Sequence, residues 1–154
     1  MSHWPIAELI PHAGDMILID QVLRVGDEDI ETQLTVRRNG LFNQVDGSLP
    51  AWVGIELMAQ SVAAFAGCQA RLCGEPVELG FLLGTRKYEC NVDRFPAGAE
   101  LHIHATRSLQ DENGMGVFEC HLRGQGIQAL ARLNVFRPPQ VASYLQEDFQ
   151  ESQP

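Results

Sequence analysis

The sequence predicts an α+β fold in which a curved antiparallel sheet wraps one long central helix. Three observations predict it. Residues 51–68, AWVGIELMAQSVAAFAGC, are apolar nearly all round, with only Glu56, Gln60 and Ser61 plainly polar; such a helix must be covered on every side. Two strand-like runs precede that segment and four follow it. Turn signals separate the last three runs, as in antiparallel hairpins.

Each element follows from its own residues. Residues 16–25 (MILIDQVLRV) are rich in aliphatic side chains and predict the first strand. Gly26-Asp27-Glu28-Asp29 supplies a turn, and residues 30–36 (IETQLTV) alternate enough to form its partner. Residues 38–50 carry Asn, Gly, Asp and Ser and predict a loop. Pro50 stands where the long helix is expected to begin, over about residues 51–72, with Gly74 and Pro76 to stop it. Strands are expected over 78–88, 99–109, 115–124 and 127–136. Asp111-Glu112-Asn113-Gly114 and Gly124-Gln125-Gly126 are the hairpin turns between the last three. Residues 1–137 are expected to form a single domain, and the polar, acidic residues 138–154 a tail that frays.

Composition narrows the function. A chain of 154 residues suits one domain. Eleven basic against twenty acidic residues give a net charge of −9, which disfavours a nucleic-acid partner because phosphate neutralisation needs clustered Lys and Arg. The start, MSHWPIAELIPHAG, lacks the pattern of a signal peptide. Cys68, Cys73, Cys90 and Cys120 show no CxxC or metal-finger spacing, so thiols in a reducing cytoplasm are expected. Glu56 within the apolar helix, and no cation at its amino end, argue against a membrane span.

Glu56 is the residue most suggestive of chemistry. It lies in the first two turns of the helix among Val53, Ile55, Leu57 and Met58. Burial there would keep a proton on its carboxyl, and such an acid can protonate a leaving hydroxyl or activate water. The structural alternative, a glutamate favoured by the helix dipole, would sit about one turn earlier. Gln60 shares the helix face of Glu56 and either hydrogen-bonds that carboxyl or the backbone, or touches substrate. His12 sits in Ile10-Pro11-His12-Ala13-Gly14, a tight segment leading into the first strand. It is either a positioned base or orienting donor, or a tether between leader and sheet. Asp20, charged within an apolar strand, is expected to accept hydrogen bonds from backbone or an arginine. His102 and His104 share a strand face, but nothing completes a metal set, so a solvated face is expected there and at His121. No Walker-type loop, nucleotide fingerprint or GxSxG elbow occurs.

These motifs are collinear with those of a known family. Ile10-Pro11-His12 together with residues 16–22 (MILIDQV) resembles the leader of the hot-dog 3-hydroxyacyl-[acyl-carrier-protein] dehydratases, which reads LPHR-x-PFLLVDRV. Leu49-Pro50-Ala51 followed by Ile55-Glu56-Leu57-Met58-Ala59-Gln60 resembles their MPG…EAMAQ segment, with the same six-residue step from proline to glutamate. Gly80-Phe81 to Tyr88, then Phe95-Pro96-Ala97-Gly98-Ala99-Glu100-Leu101, is similar to their strand and PGD-x-L turn. The resemblance spans residues 5–137. The wording LPAWVGIE-x-MAQ is most similar to the dehydratase-like proteins of aryl-polyene and flexirubin-type pigment clusters.

The resemblance implies a hot-dog fold and dehydration of 3-hydroxyacyl thioesters to trans-2-enoyl thioesters, in fatty-acid or polyene-pigment biosynthesis. It implies no metal or redox cofactor, the substrate riding on the phosphopantetheine arm of an acyl carrier protein. In the family a GHFPG histidine and the helix glutamate, contributed by different subunits, form a dyad. The glutamate carries over to Glu56. The histidine's place falls on Phe42, in Gly40-Leu41-Phe42-Asn43-Gln44, a loop without histidine. Either His12 folds against the helix start and serves as the base, or the chain is a non-catalytic acyl-binding partner of another hot-dog subunit. A thioesterase, with Glu56 activating water, is the third reading. For the dehydratase, His12 takes the α-proton, Glu56 protonates the departing 3-hydroxyl, and free N–H groups at the helix start hold the thioester oxygen. One copy covers its helix poorly on one flank, so a homodimer or heterodimer is expected. Acyl carrier proteins are usually acidic, and Arg37, Arg38, Arg86, Lys87 and Arg94 are the cations available to dock one.

Overall fold

Alternation of apolar and polar side chains along three consecutive strands builds the sheet. In β6 (Glu100–Gln110) Leu101, Ile103 and Ala105 are buried, while Glu100, His102 and His104 face out. β7 (Met115–Gly124) buries Phe118, Cys120 and Leu122, and β8 (Ile127–Phe136) buries Ile127, Ala129, Ala131 and Leu133. A sheet with one covered face requires this period of two. With β1 (Gln21–Val25), β2 (Asp29–Thr35) and β4 (Phe81–Cys90) they make one antiparallel sheet of order β1-β2-β6-β7-β8-β4. The long helix α1 (Val53–Leu72) lies against it, its Val53, Leu57, Met58, Val62 and Phe65 meeting the inward residues of the sheet. This is the α+β, hot-dog arrangement that the sequence predicts. The structure, a computed structural model, describes residues 4–76 and 81–136. His3, the expected strand start at 78–80, and the tail at 138–154 with the domain boundary before it lie outside those residues.

Several boundaries differ from the expectation, each for a physical reason. The helix starts at Val53 rather than at 51, because Pro50 belongs to a two-residue bridge, β3 (Leu49–Pro50), paired with β5 (Arg94–Phe95). The first strand is shorter than predicted. Gly14–Met16 form a 3-10 turn, and the ladder begins only at Gln21. Between them the chain spends its hydrogen bonds elsewhere. The Leu18 N–H goes to the Gln60 side chain at 2.9 Å, and the Asp20 carboxylate takes the Thr35 N–H at 2.8 Å and the Arg37 guanidinium at 3.3 Å. The structural role expected of Asp20 is thus the one seen. β4 runs on to Cys90, through a register shift near Lys87, whose φ is +57°. β6 is displaced by one residue, whereas β7 and β8 match the predicted spans.

The leader is tied across the helix. Leu9 and Ile10 are buried, and Arg71 donates to the Glu8 carbonyl at 3.3 Å. Gly67 is where the two segments meet: a Cβ built there would lie 2.0 Å from the Leu9 carbonyl oxygen. Backbone on both sides leaves no flexible atom to yield. Gly67→Ala is therefore expected to push the leader off the helix and destabilise the protein by about 1–3 kcal/mol. At about 2–4 °C per kcal/mol for a chain of this size, thermal unfolding reads the loss directly. An unchanged melting temperature would contradict the crossing.

Inside the core, the Thr32 and Ser61 hydroxyls satisfy each other at 2.8 Å, and Ser61 also donates to the Leu57 carbonyl. The cysteines form no disulfide among the described residues. Burial, with Glu119 nearby, pushes the Cys120 thiol up to about 12, so it stays protonated and unreactive at neutral pH. No helix among the described residues is long and apolar enough to cross a membrane.

Candidate active site

The leader and the helix bring His12 and Glu56 together. His12 Nε2 lies 3.2 Å from Glu56 Oε1 within one chain. His12 is held from both sides, by the buried Leu9 and Ile10 before it and by residues 16–18 after it. The second hold is Gln60, wholly buried on α1. Its Nε2 donates to the Met16 carbonyl at 2.7 Å and to Glu56 Oε1 at 3.1 Å, while its Oε1 accepts from the Leu18 N–H. With every polar atom engaged and no exposure, Gln60 positions Glu56 and the leader and does not reach substrate. That resolves the two roles the sequence leaves open for it.

The two candidate side chains differ in setting from what their neighbours suggest. Glu56 keeps 34% of its side chain exposed and His12 24%. Glu56 is not buried by the apolar helix around it, because it stands on the one flank of α1 that the sheet leaves open, in line with Ile55, Ala59, Ala63, Ala66 and Gln69. His12 Nδ1 is buried and has no hydrogen-bond partner among the described residues. Nε2 is therefore the ring nitrogen available for chemistry, and it is the one facing Glu56.

A cavity of about 240 Å³ opens from this pair and runs beside the helix. Its walls are Ala59, Ala63, Ala66 and Phe65 from α1 and Phe118 from β7. At the far end stand Gln69, Arg107 and Gln110, none singled out from the sequence. Arg107 had a signal: it continues the odd-numbered, inward positions Leu101, Ile103 and Ala105 of β6. At the helix start, the Gly54 and Ile55 N–H groups return to the Ala51 and Trp52 carbonyls, and the Ala51 N–H goes to Asp93. The Trp52 and Val53 N–H groups have no acceptor among the described residues. The Tyr88 hydroxyl donates to the Ala51 carbonyl and pins this end of the helix; burial raises its phenol above the usual range.

The remaining candidates stand apart from the pair. Phe42 packs edge-on against Trp52, ring centroids 6.1 Å apart. His102 and His104 lie on the outer sheet face and bond Glu100 at 3.1 Å and Asp29 at 2.8 Å. His121 faces the same side, between Arg123 and Gln128; desolvation and the Arg123 charge lower its pKa. No cluster of metal-ligating side chains exists among the described residues. Of the five cations, Arg37 pairs with Asp20, and Arg94 with Asp46 and Asp93. Arg38 donates only to the Asp46 carbonyl.

Comparison with known proteins places the chain in a family. A family described as ApeP dehydratase (ApeP-like) matches residues 4–146. The dehydratase heterocomplex ApeI:P from Xenorhabdus doucetiae is 35% identical, with a TM-score of 0.83 over 91% of this chain and 95% of that one. The PaaI protein of the phenylacetic acid degradation operon of E. coli is 16% identical, with a TM-score of 0.58 over 75% of this chain and 81% of that one. The TT0310 protein from Thermus thermophilus is 15% identical, with a TM-score of 0.56 over 76% of this chain and 90% of that one. These two share the fold alone. No curated protein sequence matches the chain. The match along nearly the whole length, on a fold shared with a dehydratase a third identical to it, assigns the chain to the ApeP dehydratase family.

Proposed function

We propose that the protein dehydrates 3-hydroxyacyl thioesters carried on an acyl carrier protein to trans-2-enoyl thioesters, with His12 as base and Glu56 as acid. The observation that carries this reading is the 3.2 Å contact between His12 and Glu56 beside an apolar cavity. His12 Nε2 removes a proton from C2 of the acyl chain. The C2–H electron pair becomes the C2=C3 bond, the C3–O bond breaks, and Glu56 gives its proton to the departing hydroxyl to form water. When product leaves, the proton on Nε2 returns to Glu56 across the same contact, which resets the pair. The Trp52 and Val53 N–H groups stand at the helix start, where a thioester oxygen gaining charge needs donors. Residues 1–137 act as one domain in this scheme and need no metal or redox cofactor.

The open flank of α1 supports assembly with a second hot-dog subunit, as does the similarity to a protein solved as a heterocomplex. Arg38, Arg86 and Lys87, which have no carboxylate partner among the described residues, are the cations for the acidic carrier. Incubation with a 3-hydroxydecanoyl carrier thioester, with and without the partner subunit, tests the reaction by mass spectrometry. The expected product is lighter by one water. Release of free acid would identify a thioesterase instead, and an unchanged thioester a non-catalytic subunit.

A further inference from the structure

The cavity that begins at His12 and Glu56 ends on an arginine. Glu56, Ala59, Ala63, Ala66 and Gln69 recur every three or four residues along one side of α1, so together they line one straight groove. From Glu56 to Gln69 the helix rises about 20 Å. Alanines keep the helix side shallow, and Gly116 on β7 adds no side chain to the facing wall. Along this length the groove is apolar. It then meets Arg107, whose guanidinium is fixed twice: Nε donates to Glu28 at 2.7 Å, and its central carbon lies 5.2 Å from the centre of the Phe65 ring. The side chain is only 22% exposed. Its Nη groups have no partner among the described residues, and neither has the amide of Gln110, which lines the same cavity.

A rigid arginine with unspent donors at the end of an apolar groove discriminates by chemistry. An alkyl terminus would desolvate those donors without replacing their hydrogen bonds, which costs affinity. An oxygen at the chain end would accept from Nη and from Gln110, at little entropic cost because the guanidinium is already held. We infer that Arg107 selects acyl chains whose far end carries a hydrogen-bond-accepting oxygen. The inference rests on the acyl-thioester reading above and adds to it what the distal end of the chain must look like.

Affinities of hexadecanoyl-pantetheine amide and ω-hydroxyhexadecanoyl-pantetheine amide, whose chains are long enough to run from Glu56 to Gln69, measured by calorimetry on the assembled protein, test it without any turnover. The ω-hydroxy ligand is expected to bind about tenfold tighter, the worth of one hydrogen bond to a charged group. Arg107→Met keeps an apolar stem against Phe65 and removes the donors; it should bring the two affinities together. Gln110→Leu, on an exposed strand end, should narrow the gap partially. Equal affinities for the native protein, no affinity for either ligand, or a preference that survives Arg107→Met would each overturn the inference. Dehydration of the 3-hydroxydecanoyl carrier thioester, followed in parallel, judges the reaction separately. Its failure would remove the dehydratase reading and still leave the affinity ratio to decide the role of Arg107.

Discussion

Glu56→Gln is expected to lower the dehydration rate by about 10²–10⁴-fold, the usual worth of a positioned proton donor, with little change in melting temperature. The substitution is nearly isosteric, and the new amide oxygen still accepts from Gln60 Nε2, so α1 and the leader keep their arrangement. What disappears is the proton for the leaving hydroxyl. Glu56 makes two side-chain contacts, with His12 and Gln60, and a third of its surface is open, so its removal touches none of the core. A change of that kind stays within about 0.5 kcal/mol of stability. Rate and thermal midpoint, measured on the same preparation, separate the two effects. Full activity in Glu56→Gln would end the assignment of Glu56 as the acid.

The periodic elements of this fold are legible in its sequence because period carries burial. β7 follows its alternation along its length and β8 as far as Leu133, and an apolar segment of helical length can only be central. β3 and β5 are invisible by the same logic, since a two-residue bridge has no period. The site divides in the same way. Glu56 and Gln60 fall on one helix face by spacing alone, and the wording around them marks the family. How exposed Glu56 would be was not legible, because an all-apolar helix does not say which flank the sheet will miss. Its neighbours predict burial, and the structure leaves it on the open side. The nearness of His12 depends on two contacts far apart in sequence, Leu9 on Gly67 and residues 16–18 on Gln60. No local pattern encodes either. Arg107 sits between these cases, for its parity on β6 marks it as inward while nothing local points to its partner Glu28.

His12→Ala is expected to cost about 10²-fold or more in rate, and the same contacts decide whose glutamate this histidine serves. The leader is anchored to its own helix at both ends of the segment that carries His12, by Leu9 against Gly67 and by Gln60 on Met16 and Leu18. A segment so held cannot reach a second copy without breaking buried contacts. The family that the sequence resembles draws its dyad from two subunits, whereas the proposed pair lies 3.2 Å apart within one chain. Co-expressed His12→Ala and Glu56→Gln chains should therefore give no more activity than the two variants apart, because no chain in the mixture has both groups. Activity above that sum would mean that copies exchange their histidines. Added imidazole should restore part of the His12→Ala rate, since the truncation leaves a ring-sized space beside Glu56 in a leader still pinned at both ends. If the loss came instead from a displaced leader, imidazole would restore nothing and the melting temperature would fall as is expected for Gly67→Ala.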